Sequence, residues 1–276
     1  MGRAREANLT VLHVRIACVG AMKEIISLSG GVGSWACLDR ILSQNDKNDV
    51  VCVFCDTLQE DGDLYRFLRD IESYYGLEIT RICVGKTPFQ IAWENRFIFN
   101  SRAAKCSQEL KSKPFRAWLE QSFKPDECVV NLGIDWTESH RKAAVERNYL
   151  PYKVAFPMCE PPYIEKWEML ERLKKIGIKT PRLYELGFSH NNCKGCCFKA
   201  GIGHYKKLLQ KDPILYLEWE EKEEALRRMI GKDVAILKRK GNPYTLKQLR
   251  EDTKHFQCSI FDEDEDEIGG CGCFLD

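Results

Sequence analysis

The chain has 276 residues, 44% hydrophobic and 30% charged, which is enough for a sizeable core and rules out global disorder. Forty-two Lys and Arg stand against 41 Asp and Glu, a formal charge of +1, so net charge lends no support to nucleic acid or an anionic membrane surface as partner. No apolar run approaches the roughly 20 residues that span a bilayer. Fourteen cysteines are the abnormal count. The apolar stretch at 9–19 is interrupted by His13 and Arg15 and makes a poor secretory signal, so the expected location is cytoplasmic. In that reducing compartment thiols serve metal binding, catalysis or burial rather than disulfides.

Residues 1–21 read as an N-terminal extension, 22–165 as an α/β nucleotide-binding unit and 166–276 as a helical, Cys-rich C-terminal module. Apolar runs predict strands at 24–28 (EIISL), 50–55 (VVCVFC), 78–84 (EITRICV) and 127–132 (ECVVNL). Between them, helices are expected at 34–42, at 61–75 and around 88–122. The second of these has Leu64, Phe67, Leu68, Ile71 and Tyr75 on one face and Gly76 at its end. Strands alternating with helices imply an open parallel sheet. Beyond residue 160 the expected elements are a helix at 165–176 closed by Gly177, a Cys-rich turn at 190–201, and helices at 203–210 and 214–230, the last closed by Gly231. The acidic run at 262–267 reads as solvated surface.

Two places carry chemistry. The first is Ser29-Gly30-Gly31-Val32-Gly33-Ser34, where the first parallel strand hands over to a helix. Glycines there let backbone amides turn inward, the helix N-terminus adds positive potential, and two hydroxyls are available to donate to phosphate oxygens. A plain connecting turn is the competing reading. The loop is neither GxxxxGK[ST] nor GxGxxG. Asp56 and Thr57 end the second strand, as ligands for Mg2+ or a ribose hydroxyl, or with Asp56 as a helix cap. Arg102, Lys111, Lys113 and Arg141 are cations suited to a polyphosphate or sulfate, or to plain surface. The second place is Cys193-Lys194-Gly195-Cys196-Cys197, with Cys258 and the terminal Cys271-Gly272-Cys273. Four such thiolates suit zinc and an iron–sulfur cluster equally.

The glycine loop resembles the SGGxDS loop of the adenine nucleotide alpha-hydrolase superfamily, the N-type ATP pyrophosphatases and phosphoadenosine phosphosulfate reductases. Gly33 stands where the aspartate is usual. Phe54-Cys55-Asp56-Thr57, the 110–119 segment (LKSKPFRAWL), and Leu132-Gly133-Ile134 with Glu138 and Arg141 follow in the family's order. Gly187-Phe188 and His190-Asn191-Asn192-Cys193 are similar to reductase-like proteins of phages and mobile elements. The resemblance covers roughly residues 23–210 and the extreme C-terminus. It implies a Rossmann-like fold that binds ATP and Mg2+ through Ser29, Gly30, Gly31, Gly33, Ser34, Asp56, Thr57, Arg102, Lys113, Gly133 and Arg141. Cleavage to AMP and pyrophosphate would adenylate an acceptor, linked to sulfur transfer. It also tilts the cysteines toward a 4Fe–4S cluster over Zn2+, on Cys193, Cys197, Cys271 and Cys273, with Cys196 and Cys258 in reserve.

Two alternatives stand beside this expectation. One is a reductase of adenylyl sulfate or its 3′-phosphate, although the ECG[IL]H-type nucleophile motif is missing. The other is a non-catalytic nucleotide sensor or metal-stabilised interaction module, favoured by Gly33. The acceptor is open, and a homodimer is an assembly the sequence leaves open.

Overall fold

The computed structural model describes residues 10–11, 22–99 and 105–255. Its centre is a sheet of β1 (Thr10–Val11), β2 (Lys23–Leu28), β3 (Val50–Asp56), β4 (Ile79–Cys83), β5 (Cys128–Leu132) and β6 (Lys153–Ala155), in the order β1-β4-β3-β2-β5-β6. The last five run parallel, as an open, Rossmann-like sheet, and β1 adds an antiparallel edge to β4. β1 falls within the stretch expected to be an extension. β6 is a short strand that three residues of modest hydrophobicity do not announce.

Pleating sends alternate residues to opposite faces. On one face Ile26, Leu28, Cys52 and Phe54 pack against α1 (Val32–Leu42) and α2 (Gly62–Tyr75), through Trp35, Leu38, Leu64, Phe67 and Ile71. Asp61 caps α2 by accepting from the Asp63 amide at 2.9 Å, and Gly76 closes it in the left-handed region, as its position predicts.

β4 leads into α3 (Pro88–Glu94), whose capping box is Thr87 with Gln90. Next come α4 (Lys105–Ser107), a π-helical turn (Gln108–Ser112) and α5 (Lys113–Ser122). α5 and α6 (Lys142–Tyr149) cover the other face, where Phe115, Trp118, Leu119, Val145 and Tyr149 meet Ile25, Val53, Cys55 and Val130. Helices therefore change faces where the strand order reverses, between β2 and β5.

The C-terminal residues divide between two cores. α7 (Lys166–Lys175) lays Met169 and Leu173 against the α1 side of the sheet. Beyond it lie α8 (Arg182–Glu185), α9 (Ile202–Lys211), α10 (Pro213–Ile230), the hairpin β7 (Leu237–Arg239) and β8 (Asn242–Tyr244), and α11 (Leu246–His255). Phe198, Tyr205, Tyr216, Trp219 and Leu249 form a third core there, joined by Ile91, Phe99 and Leu110 from the earlier part of the chain. The expected helix positions agree with α2, α7, α9 and α10 to within about two residues at each end.

Candidate nucleotide cavity and the cysteine turn behind it

Where the winding of a parallel sheet reverses, the loops leaving the two flanking strands part and open a crevice. Here these are the Ser29–Ser34 loop after β2 and the 133–141 segment after β5. They line a cavity of about 510 Å3, closed on its other sides by Ile164–Lys166, Tyr184 and residues 189–192. Of the expected nucleotide-binding residues, Ser29, Gly31, Gly33, Ser34, Gly133 and Arg141 reach this cavity.

The glycines are demanded by packing. Gly30 sits at φ +77°, and a Cβ there would meet Leu64 Cδ1 at 2.5 Å. At Gly133 a Cβ would lie 2.6 Å from the Ser34 Cα, so the two loops touch backbone to backbone. A side chain at Gly33 would bring its Cβ to 3.1 Å from the Gly133 carbonyl oxygen. That close approach gives a physical reason for glycine where the resembled motif carries aspartate.

The two hydroxyls expected to meet phosphate are committed inside the loop. Ser29 Oγ and the Ser29 amide both donate to Ser34 Oγ at 3.1 Å, and Ser34 Oγ donates to the Gly31 carbonyl at 2.9 Å. The donors left at this end of the cavity are then the amides at the start of α1. The first of these, on Val32, donates to Tyr184 Oη at 3.1 Å, and burial pushes the Tyr184 phenol up to about 12. Gly33 and Ser34, which carry the next two amides, line the cavity. Buried Arg141 pairs with Glu138 at 2.7 Å. Lys166, which also lines the cavity, lies over the Tyr184 ring at 5.0 Å.

Other expected residues go elsewhere. Asp56 is fully buried outside the cavity lining: it accepts from the Leu58 amide and from Tyr65 Oη, each at 2.8 Å, and pairs with Arg81. It caps no helix; that work falls to Asp61. Thr57 donates to Glu60 Oε1 at 3.0 Å. Lys113 is exposed, in an ion pair with Glu109 at 2.6 Å, and does not line the cavity. The enclosed lysine of this segment is Lys111, 3.5 Å from Glu60. Burial works against its ammonium, but Glu60 and the neighbouring thiols outweigh it and hold its pKa above the ordinary lysine value. Lys111 faces inward because it sits in the π-helical turn, a departure from 3.6 residues per turn that a periodicity reading does not register. Arg102 lies outside the described residues.

Residues 189–192 form the wall opposite the glycine loop, which sequence reading noted only as a motif. Asn191 Nδ2 donates to the Gly30 carbonyl at 2.9 Å, binding wall to loop. His190 stacks on His204 with ring centres 4.8 Å apart, and burial, aided by that ring, lowers it to about 3, so it stays neutral. A pair of carboxamides and an imidazole immediately before a cysteine was the available signal.

Immediately behind this wall is the cysteine turn. The Cys193 amide donates to Glu60 Oε2 at 2.7 Å, and Cys193, Lys194 and Gly195 have φ of 51°, 54° and 80°. That turn folds the chain back and sets Cys193 beside Cys197. The neighbouring Cys197 and burial raise Cys193, whereas the neighbouring Cys193 and the Lys199 amide lower Cys197. Cys196 points away, buried, toward the Lys194 carbonyl. Two of the four expected metal ligands thus come together, while Cys258, Cys271 and Cys273 lie outside the described residues. Among the described residues no three His, Cys, Asp or Glu side chains converge as a metal site. Among the described residues the donor set there stops at two thiols.

Sheet and cavity together define an open parallel α/β protein with its ligand crevice at the switch point. No family model matches the chain. It is 26% identical over 217 residues to an uncharacterized protein of Methanocaldococcus jannaschii, a match covering 75% of this chain and 43% of that relative. The chain therefore spans less than half the length of the curated relative it matches. Among the described residues no helix is long and apolar enough to cross a membrane.

Proposed function

We propose that the chain is a cytoplasmic enzyme that binds ATP in the switch-point cavity and cleaves it to AMP and pyrophosphate, adenylating an acceptor in a reaction tied to sulfur transfer. The observation that carries this reading is the meeting of the Ser29–Ser34 and 133–141 loops around about 510 Å3, within the range of small-ligand pockets. An acceptor oxygen attacks the α-phosphorus, the bond from the α-phosphorus to the bridging oxygen breaks, and pyrophosphate leaves. Charge on the departing pyrophosphate is met by the Gly33 and Ser34 amides opening α1, by buried Arg141 and by Lys166. Mg2+ arrives with the triphosphate. The carboxylates among the lining residues, suited to that hard cation, are those of Asp135, Glu138 and Glu165.

Pyrophosphate release from ATP–Mg2+, with adenylyl sulfate offered in parallel and sulfite assayed, tests the reading. Ser29→Ala combined with Ser34→Ala removes the hydroxyl pair that shapes the loop, displaces the α1 amides, and is expected to lower pyrophosphate formation by about 100-fold. Unchanged activity in that double variant sinks the proposal. Sulfite without pyrophosphate would turn it into a sulfonucleotide reductase.

A further inference from the structure

Tyr184 reaches the cavity from α8, far from the glycine loop in sequence, and its hydroxyl is only half used. Its Oη accepts from the Val32 amide, the first of α1, at 3.1 Å, and Gly31 leaves it room, since a Cβ there would stand 3.2 Å away. Among the described residues nothing accepts the hydroxyl's own hydrogen, although Tyr184 lines the cavity. The phenol is also held rigidly. Its helix is fastened to the start of α2: the Arg182 amide donates to Asp63 Oδ2 at 2.7 Å, and the Arg182 guanidinium pairs with Asp61. Arg66 donates to the Lys179 and Thr180 carbonyls just before it, at 3.0 and 3.3 Å. Two influences strengthen the hydroxyl as a donor. Accepting from an amide at the positive end of a helix polarises the O–H bond. Lys166 Nζ, 5.0 Å from the ring centre, draws electron density from the ring face. A second unmet group belongs to the same cavity lining: Asn192 is 4% exposed, and its Oδ1 has no hydrogen-bond partner. An unmet donor and an unmet acceptor around one cavity call for a ligand rather than for packing.

We infer that Tyr184 is a pyrophosphate-binding residue: its hydroxyl stands in for the Val32 amide at the head of α1 and donates to an oxygen of the pyrophosphate unit, beside the Gly33 and Ser34 amides. This rests on the reading of the cavity as a phosphate site and adds to it a neutral donor carried by a distant segment. The phenol extends the reach of the helix end into the cavity by one hydrogen bond. Burial keeps it protonated, so it remains a donor and brings no negative charge against the anion.

The test is calorimetric titration of the full chain with Mg2+–pyrophosphate, which needs neither turnover nor a nucleoside, with ATP cleavage assayed on the same samples. Tyr184→Phe is expected to weaken pyrophosphate binding about tenfold or more, the loss of a hydrogen bond to a charged group. Replacing Tyr184 by 3-fluorotyrosine nearly keeps its shape and makes the hydroxyl a stronger donor, so binding should tighten at least about twofold. A tyrosine that only packs would give no such gain, and this variant keeps the test open if circular dichroism shows Tyr184→Phe to be unfolded. Loss with phenylalanine and gain with fluorotyrosine, even where ATP is not cleaved, uphold the inference while the adenylating reading falls. ATP cleavage with pyrophosphate binding unchanged in both variants overturns the inference alone. Tighter binding in Tyr184→Phe would mean that the phenol blocks the Val32 amide, and overturns it too. So does a wild type that binds no pyrophosphate.

Discussion

At Gly133 a single hydrogen in place of a methyl group decides whether two loops can meet. The Ser34 backbone lies 2.6 Å from where a Cβ would stand, and backbone, unlike a side-chain tip, has little freedom to withdraw. Gly133→Ala is therefore expected to push the 133–141 segment off the glycine loop and cost about 1–3 kcal/mol of stability. On the proposed reading, ATP affinity should fall at least about tenfold, the equivalent of about 1.4 kcal/mol. Thermal unfolding and calorimetric titration read the two effects separately; an unchanged affinity would show that the loops close the cavity without this contact. Glycine at 30, 31, 33 and 133 was legible because the residue type is rare enough to mark a turn. The partners were not: Tyr184 at the Val32 amide and Asn191 at the Gly30 carbonyl come from about 150 residues away. Asp56 shows the converse, a carboxylate at the expected strand end whose neighbours Tyr65 and Arg81 draw it into the interior instead of the cavity.

Helix α10 carries an acid that its own sequence leaves looking like one more surface charge. Glu223 is fully buried and accepts from the Ile236 and Leu246 amides, each at 2.7 Å, so one carboxylate secures the hairpin and the start of α11 to α10. Burial raises its pKa to about 7, against the two amides, which favour the charged form. The folded state thus keeps a proton that the unfolded chain gives up near the ordinary carboxylate value. This contribution to stability is complete below that value, declines as pH rises toward about 7, and is absent above it. Glu223→Gln should flatten that part of the stability–pH curve, and should cost about 1–3 kcal/mol because an amide nitrogen cannot accept in place of the second oxygen. Denaturant midpoints between pH 4 and 8 would check it, an unaltered slope counting against the role. Helices with strong caps and periodic faces, such as α2, were readable from local residues. The π-helical turn and α11 were not, because their stability is set by what packs on them.

Across the molecule, the third core is what makes the two halves one structure. Trp219 is fully buried among residues of α9, α10 and α11 together with Phe99 and Leu110 from the first half. Trp219→Ala should cost about 3–5 kcal/mol. Because that core is shared, thiol exposure at Cys37, deep under the sheet, should track the loss of helix in a single transition, in the wild type as in the variant. Separate transitions would mean that the halves fold independently. The order of strands and helices, the parallel sheet and the position of the glycine loop followed from the sequence alone, because hydrophobic period and glycine placement are local signals that survive in one dimension. Which cations and hydroxyls face the cavity, that Lys111 rather than Lys113 is enclosed, and that Cys193 and Cys197 meet while Cys196 turns away were decided only by the tertiary structure. Those outcomes depend on which distant segments share a wall, and side-chain direction there is set by packing and by charges that chain order does not display.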